Sequence, residues 1–161
     1  MKLSLLIPVF NERLYLKEIF TRVVMCPLTL GKEITDIELI VVDDFSTDGT
    51  RQWLETRLSA FQAMRKDGVN VEIKLFLQPA NAGKGSAIQL ALREFTGDIV
   101  LIQDADLEYS PHDYPKLLQP IVEGKADAVF GSRFLGDQRR VLFFWHSMMN
   151  KFLTVFSNMV S

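Results

Sequence analysis

Short apolar runs closed by turn residues recur along this chain, and they restrict its fold more than any other feature. They are LSLLIPVF (3–10), IELIVVD (37–43), VEIKLFL (71–77), DIVLIQD (98–104) and ADAVFGS (126–132). Runs of this length rich in Val, Ile and Leu read as strands. Helical patterns lie between them. In GSAIQLALREFTG (85–97), Ile88, Ala91, Leu92 and Phe95 share one face and Gly97 supplies the stop. SPHD (110–113) offers an N-cap serine, a proline at the first helical position and an acid at the third. Strand alternating with helix implies βαβ units with right-handed crossovers, hence an α/β fold: a mainly parallel sheet with helices on both faces. With 161 residues, 48% of them hydrophobic, the chain is long enough for one domain with a sizeable core.

Several function classes are excluded early. Eighteen Lys and Arg against twenty Asp and Glu leave a formal charge of -2, so the chain lacks the basic footprint of a nucleic-acid binder. A negatively charged ligand must therefore be held by local groups. The single cysteine, Cys26, has no partner for an internal disulfide and no companions at metal-ligand spacing, which fits a reducing compartment. MKLSLLIPVF is short, is broken by Pro8 and lacks a small-residue cleavage site, so it reads as a first strand and not as a signal peptide. MCPLTLGKEITD (25–36) reads as a long connection.

The last stretch, VLFFWHSMMNKFLTVFSNMVS (141–161), follows another pattern. His146, Ser147, Asn150, Lys151, Thr154, Ser157, Asn158 and Ser161 recur about one turn apart and line one stripe of a helix. That stripe is too regular for a membrane span, which needs about 20 mostly apolar residues. Two readings stay open. One is an amphipathic helix on a membrane surface, with Phe143, Phe144 and Trp145 at the interface and Arg139 and Arg140 facing lipid phosphates. The other is a helix packed on protein. The expected division is a ligand-binding domain over 1–138 and this helix over 139–161.

Five motifs stand at or just after predicted strands, where a parallel sheet collects its ligands. In PVFNE (8–12), Pro8 ends the strand, and Asn11 and Glu12 open a helix whose free backbone N–H groups face a ligand. In VVDDFSTDGT (41–50), Asp43 and Asp44 are adjacent and cannot point the same way. One is then free to accept from a base or ribose while the other fixes the turn. Asp48, before Gly49, reads as a structural cap. In NAGKGSA (81–87), Gly83 and Gly85 allow close backbone approach and Lys84 adds a point charge beside a helix N-terminus, a combination suited to a diphosphate. The loop is neither a Walker A loop nor a dinucleotide fingerprint. In LIQDADLEYSP (101–111), Asp104 and Asp106 flank small Ala105, with Glu108 close behind. A bend there brings two carboxylates to one Mg²⁺ or Mn²⁺ that also holds substrate phosphates. In GSRF (131–134), Arg133 offers a fork for a phosphate.

In their order and approximate spacing, Pro8–Glu12, Asp43–Asp44, the Asn81–Ala87 loop, Asp104–Asp106 and Gly131–Arg133 resemble glycosyltransferase family 2. The DADLE and GSRFLG forms look most like its dolichyl- or polyprenyl-phosphate sugar transferases. The resemblance implies a GT-A (Rossmann-like) fold and inverting transfer of a hexose from a nucleotide-diphospho-sugar, of GDP-mannose or UDP-glucose type, to a polyprenyl phosphate. It also implies a divalent metal, Mg²⁺ or Mn²⁺, and a place on the cytoplasmic face of a membrane. Carried over by motif, Pro8, Phe10 and Glu12 line the nucleotide pocket, Asp44 accepts from the base, and Lys84 belongs to the same nucleotide-sugar site. Asp104 lies beside the ribose, sugar or metal, Asp106 is a metal ligand, and Arg133 binds the donor diphosphate. Glu108, the third candidate metal ligand, stands where relatives in that group often carry glutamine. Asp106 and Arg133 are the residues expected to carry the chemistry. Family members run on past this point, so the acceptor side and any catalytic base are expected beyond Ser161. A sugar acceptor, or a donor-binding module without turnover, are the alternatives. A nucleotidyltransferase is disfavoured because its first strand leads into a glycine-rich loop, where this chain has PVFNE.

Overall fold

The computed structural model describes residues 1–28, 34–65 and 67–131, of which Met1–Ala128 form one compact unit. Its elements are β1 (Lys2–Val9), α1 (Leu16–Val24), β2 (Asp36–Asp43), α2 (Thr50–Arg57), a 3₁₀ segment (Leu58–Ala63), β3 (Asn70–Leu77), α3 (Lys84–Glu94), β4 (Ile99–Ile102), a 3₁₀ turn (Pro111–Asp113) and α4 (Tyr114–Val122). The four strands form one sheet, ordered β3-β2-β1-β4, and every pair is parallel. The α/β reading holds for all four of these strands.

Both sheet faces are buried, and the two-residue strand period sorts the core between them. Leu3, Leu5, Ile7 and Val9 of β1 pack with Ile19, Phe20 and Val23 of α1 and with Tyr114 and Leu118 of α4. Phe20 stacks on Trp53 on that side, and both meet Phe61 at a tilt, with ring centroids about 6 Å apart. Leu6, Ile40 and Val42 face the other way, onto Ala87 and Ala91 of α3. The small alanines let α3 lie close to the sheet. This corrects the helical face read from sequence, because only Ala91 of that set is buried, while Leu92 and Phe95 are 45% and 37% exposed. Periodicity identifies an apolar face, but helix-to-sheet distance decides which residues fit beneath it.

Four other expectations are revised. Gly97 does not stop α3, which ends at Glu94. A Cβ at Gly97 would collide with Ser4 Oγ and lie 2.7 Å from the Lys2 carbonyl oxygen, so glycine is there for close approach. Pro8 lies inside β1 and not at its end. Leu6 O accepts from Gln103 on the β4 side and Val9 O accepts from Asp44 on the β2 side, so by alternation Pro8 falls on the β4 side. The β4 ladder has already stopped at Leu6↔Ile102, and no N–H is missed there. Asn11 and Glu12 precede a turn, and α1 starts only at Leu16. Residues 126–131 form no strand. A strand exists only where a neighbour supplies its ladder, and the outer edge of β4 has none among the described residues.

Residue 132, Arg133 and the 139–161 helix lie outside the described residues, as do 29–33 in the long connection. No described helix is long and apolar enough to cross a membrane.

Candidate active site

Register assembles the site. Val9 pairs with Asp43 and Asp43 with Leu77, so β1, β2 and β3 end level with one another. The loops that follow therefore emerge side by side, while β4 stops earlier, at Ile102 opposite Leu6, where Gln103 donates its N–H to Leu6 O (3.0 Å). Together they wall an open cleft of about 320 Å³, within the size range of small-ligand sites. Pro8 enters from within β1, Phe10 and Glu12 follow β1, Asp44 follows β2, Asn81, Gly83 and Lys84 follow β3, and Asp104 and Asp106 follow β4. Of the residues singled out from sequence, Glu108 does not line this cleft and Arg133 is outside the described residues.

The adjacent acids of β2 divide their tasks. Buried Asp43 accepts from the Ser46 N–H (3.2 Å) and from Arg51 Nε (2.8 Å), while Arg51 also donates to the Gln78 carbonyl (2.6 Å). Asp43 thus fixes the turn. Asp44, also buried, accepts from the Ala82 and Gly83 N–H groups, each at 2.8 Å, and its carbonyl accepts from Asn81 Nδ2 at 3.2 Å. These bonds tie the β3–α3 loop to β2 and hold Gly83 at φ +86°, a conformation open to glycine. α3 then begins at Lys84, with its N-terminal N–H groups at the cleft. The first loop is held similarly: Asn11, at φ +54°, donates to Ser46 Oγ and accepts from the Thr47 N–H, both at 2.9 Å. Asp48 caps the N–H groups of Thr50 (3.0 Å) and Arg13 (3.2 Å), the structural role read for it.

The cleft is rich in carboxylates. Lys84 Nζ lies 2.6 and 2.8 Å from the two oxygens of Asp104. Asp106 Oδ1 accepts the Glu108 N–H at 2.9 Å, so Glu108 meets Asp106 through its backbone. Burial, and then the charges of Asp106 and Asp48, push the Glu12 carboxyl above its ordinary value. Behind the acids, buried Gln103 accepts from the Tyr114 hydroxyl (2.7 Å) and donates to the Asp104 carbonyl (2.9 Å). That pair fastens the acidic turn to α4. Gln103, Tyr114, Arg51 and Asn81 were not singled out from the sequence, although Asn81 opens a loop that was.

The described residues contain no group of three His, Cys, Asp or Glu arranged as a ready metal cage. The arrangement still fits a hard cation of the Mg²⁺ type, which needs only one or two carboxylates when substrate phosphates complete its shell. Asp104 and Asp106 provide those two at the cleft wall, with the Glu12 carboxyl lining the same cleft.

Known proteins resemble this chain in sequence and in fold. Residues 4–159 match the family described as Glycosyl transferase family 2. The chain is 33% identical over 135 residues to a dolichol-phosphate mannosyltransferase of Pyrococcus furiosus, a match covering 84% of this chain and 34% of that protein. The chain therefore spans about a third of that relative's length. Among solved structures it resembles the mannosyltransferase PcManGT of Pyrobaculum calidifontis, in complex with GDP-Man and Mn²⁺. The TM-score is 0.52 and the identity 28%, over 74% of this chain and 31% of that one. It also shares its fold with S. aureus TarS 1-349, at a TM-score of 0.54 and 24% identity, over 84% of this chain and 40% of that one.

Proposed function

The chain belongs to glycosyl transferase family 2, and on that premise we propose that it carries the donor half of an inverting transfer of a hexose from a nucleotide-diphospho-sugar to a polyprenyl phosphate. Its parallel sheet and flanking helices form the GT-A fold. The observation that carries the reading is the convergence of four strand ends on one cleft bearing Glu12, Asp44, Lys84, Asp104 and Asp106. The donor class is supported by PcManGT, which is in complex with GDP-Man and Mn²⁺. The acceptor is supported by the relative that is a dolichol-phosphate mannosyltransferase.

In this reading Pro8 and Phe10 flank the base, and Asp44 keeps the β3–α3 loop in place. The N–H groups of α3 and the Lys84 ammonium receive the diphosphate. Departure of a nucleoside diphosphate builds negative charge on the β-phosphate, and pre-placed donors lower the barrier by stabilising that charge. Asp104 and Asp106, with Glu108, would hold a Mg²⁺ or Mn²⁺, which would supply Lewis-acid stabilisation to the same leaving group. Arg133 is proposed as a second phosphate clamp. A polyprenyl phosphate is already anionic and attacks with little help from a base. We assign donor binding to residues 1–138, and to 139–161 a helix lying on the cytoplasmic face of a membrane.

The test is calorimetric titration with GDP and UDP, each with and without Mn²⁺, on the wild type and Asp106→Asn. Metal-dependent binding of one nucleotide, weakened at least about tenfold by the substitution, supports the reading. Binding indifferent to both metal and substitution overturns it. Radiolabel transfer to polyprenyl phosphate against a free sugar then identifies the acceptor.

A further inference from the structure

Among the described residues that line the cleft, Lys84 is the one cation, against Glu12, Asp44, Asp104 and Asp106. It is not there for its helix. Lys84 is the first residue of α3, where the positive end of the helix dipole disfavours a cation. Its ammonium sits across Asp104, 2.6 and 2.8 Å from the two carboxylate oxygens and hydrogen-bonded to Oδ2, so a metal ion approaching Asp104 meets a positive charge beside both oxygens. The lysine side chain is 58% exposed, so it can move without loss of packing.

We infer that Lys84 is an exchangeable counter-ion that occupies Asp104 until a diphosphate arrives, so that metal and donor bind as a coupled pair. This rests on the donor-site reading above. A divalent ion alone must break the Lys84–Asp104 pair and approach an ammonium, which leaves the lysine without an anion. A diphosphate alone must enter a cleft whose described lining residues carry four acids and one cation, and that cation is already paired. Together the two ligands exchange partners: the metal takes Asp104 and the phosphates take Lys84. Each ligand therefore raises the affinity of the other by the same factor.

The sign of the consequence is unusual. Removing a positive charge from a diphosphate site should strengthen metal binding in the absence of nucleotide. The experiment measures Mn²⁺ binding to the 161-residue chain by the paramagnetic resonance signal of free Mn²⁺, alone and then with GDP and with UDP. Lys84→Met is expected to bind Mn²⁺ alone at least about threefold more tightly than the wild type, since an exposed ion pair and a like-charge repulsion are both removed. The nucleotide-induced gain in Mn²⁺ affinity should shrink by a similar factor, and Lys84→Arg should behave as the wild type. If Lys84→Met binds Mn²⁺ alone no better than wild type while Asp106→Asn abolishes the nucleotide-dependent binding, the counter-ion role is refuted and the donor site stands. If neither wild type nor Lys84→Met binds Mn²⁺ with or without nucleotide, both fall. Circular dichroism confirms that each variant is folded.

Discussion

Asp44 Oδ2 accepts the backbone N–H of Gly83 at 2.8 Å, and its second oxygen accepts that of Ala82 at the same distance. A side chain at the end of β2 thereby sets the conformation of the loop after β3, and through Gly83 the point where α3 begins. Asp44→Asn replaces one acceptor with an amide that faces a donor. We expect a loss of about 1–3 kcal/mol at the loop and a fall of about tenfold or more in nucleotide affinity. Hydrogen exchange at the Ala82 and Gly83 amides should speed up in parallel, and unchanged exchange there refutes the anchoring role.

Gly97→Ala should lower unfolding stability by about 1–3 kcal/mol, because the added methyl meets Ser4 Oγ and the Lys2 backbone. Gly85→Ala, where a Cβ meets nothing within 4 Å, is the matched control. Urea unfolding distinguishes them. Equal midpoints would mean that the chain at Gly97 relaxes freely.

Glu38 should govern acid stability. Burial by itself raises its carboxyl, but hydrogen bonds from Ser4, Thr96 and Lys2 outweigh burial and hold it well below its ordinary 4.5. With the folded value depressed, the unfolded chain takes up the proton first. The contribution is thus complete above about pH 4.5 and is lost as pH falls below it, by up to about 1.4 kcal/mol per pH unit. Glu38→Gln should flatten the fall in unfolding free energy between about pH 4.5 and 3 by one proton's worth. Identical slopes in the two proteins would assign the acid loss to another group.

Glu12 should show the opposite sign. Burial and the Asp106 and Asp48 charges raise its folded-state value above 4.5, so its contribution is fully present below about pH 4.5 and is lost as pH rises through the raised value. Glu12→Gln should therefore match or exceed wild-type stability at pH 7, by less than about 1 kcal/mol, with no gain at pH 4. A variant that is less stable at pH 7 would show that Glu12 is held by favourable contacts and not strained by its neighbours.

Much of the site was legible because chemistry and strand ends coincide in one dimension. Pro8, Phe10, Glu12, Asp44, Lys84, Asp104 and Asp106 all lie at or just beyond the ends of apolar runs, and all seven line the cleft. What the motifs did not reveal was how these groups engage one another. Adjacent acids look equivalent in sequence, yet Asp43 is paired with Arg51, eight residues away, and Asp44 with a loop 38 and 39 residues away. Gln103 and Tyr114 carry no motif, because a buried hydrogen bond between an amide and a phenol leaves no periodic signature.

By itself, then, the sequence determined the local chemistry: four of the five strands its apolar runs suggested, the helices between them and the acids at their ends, since apolar period and turn residues are properties of neighbouring positions. Only the tertiary structure decided the strand order β3-β2-β1-β4, the level ending of Val9, Asp43 and Leu77, and the capture of Asp104 by Lys84. Those relations depend on ladder register and on which helix fits against which face, and both are fixed by contacts between residues far apart in the chain.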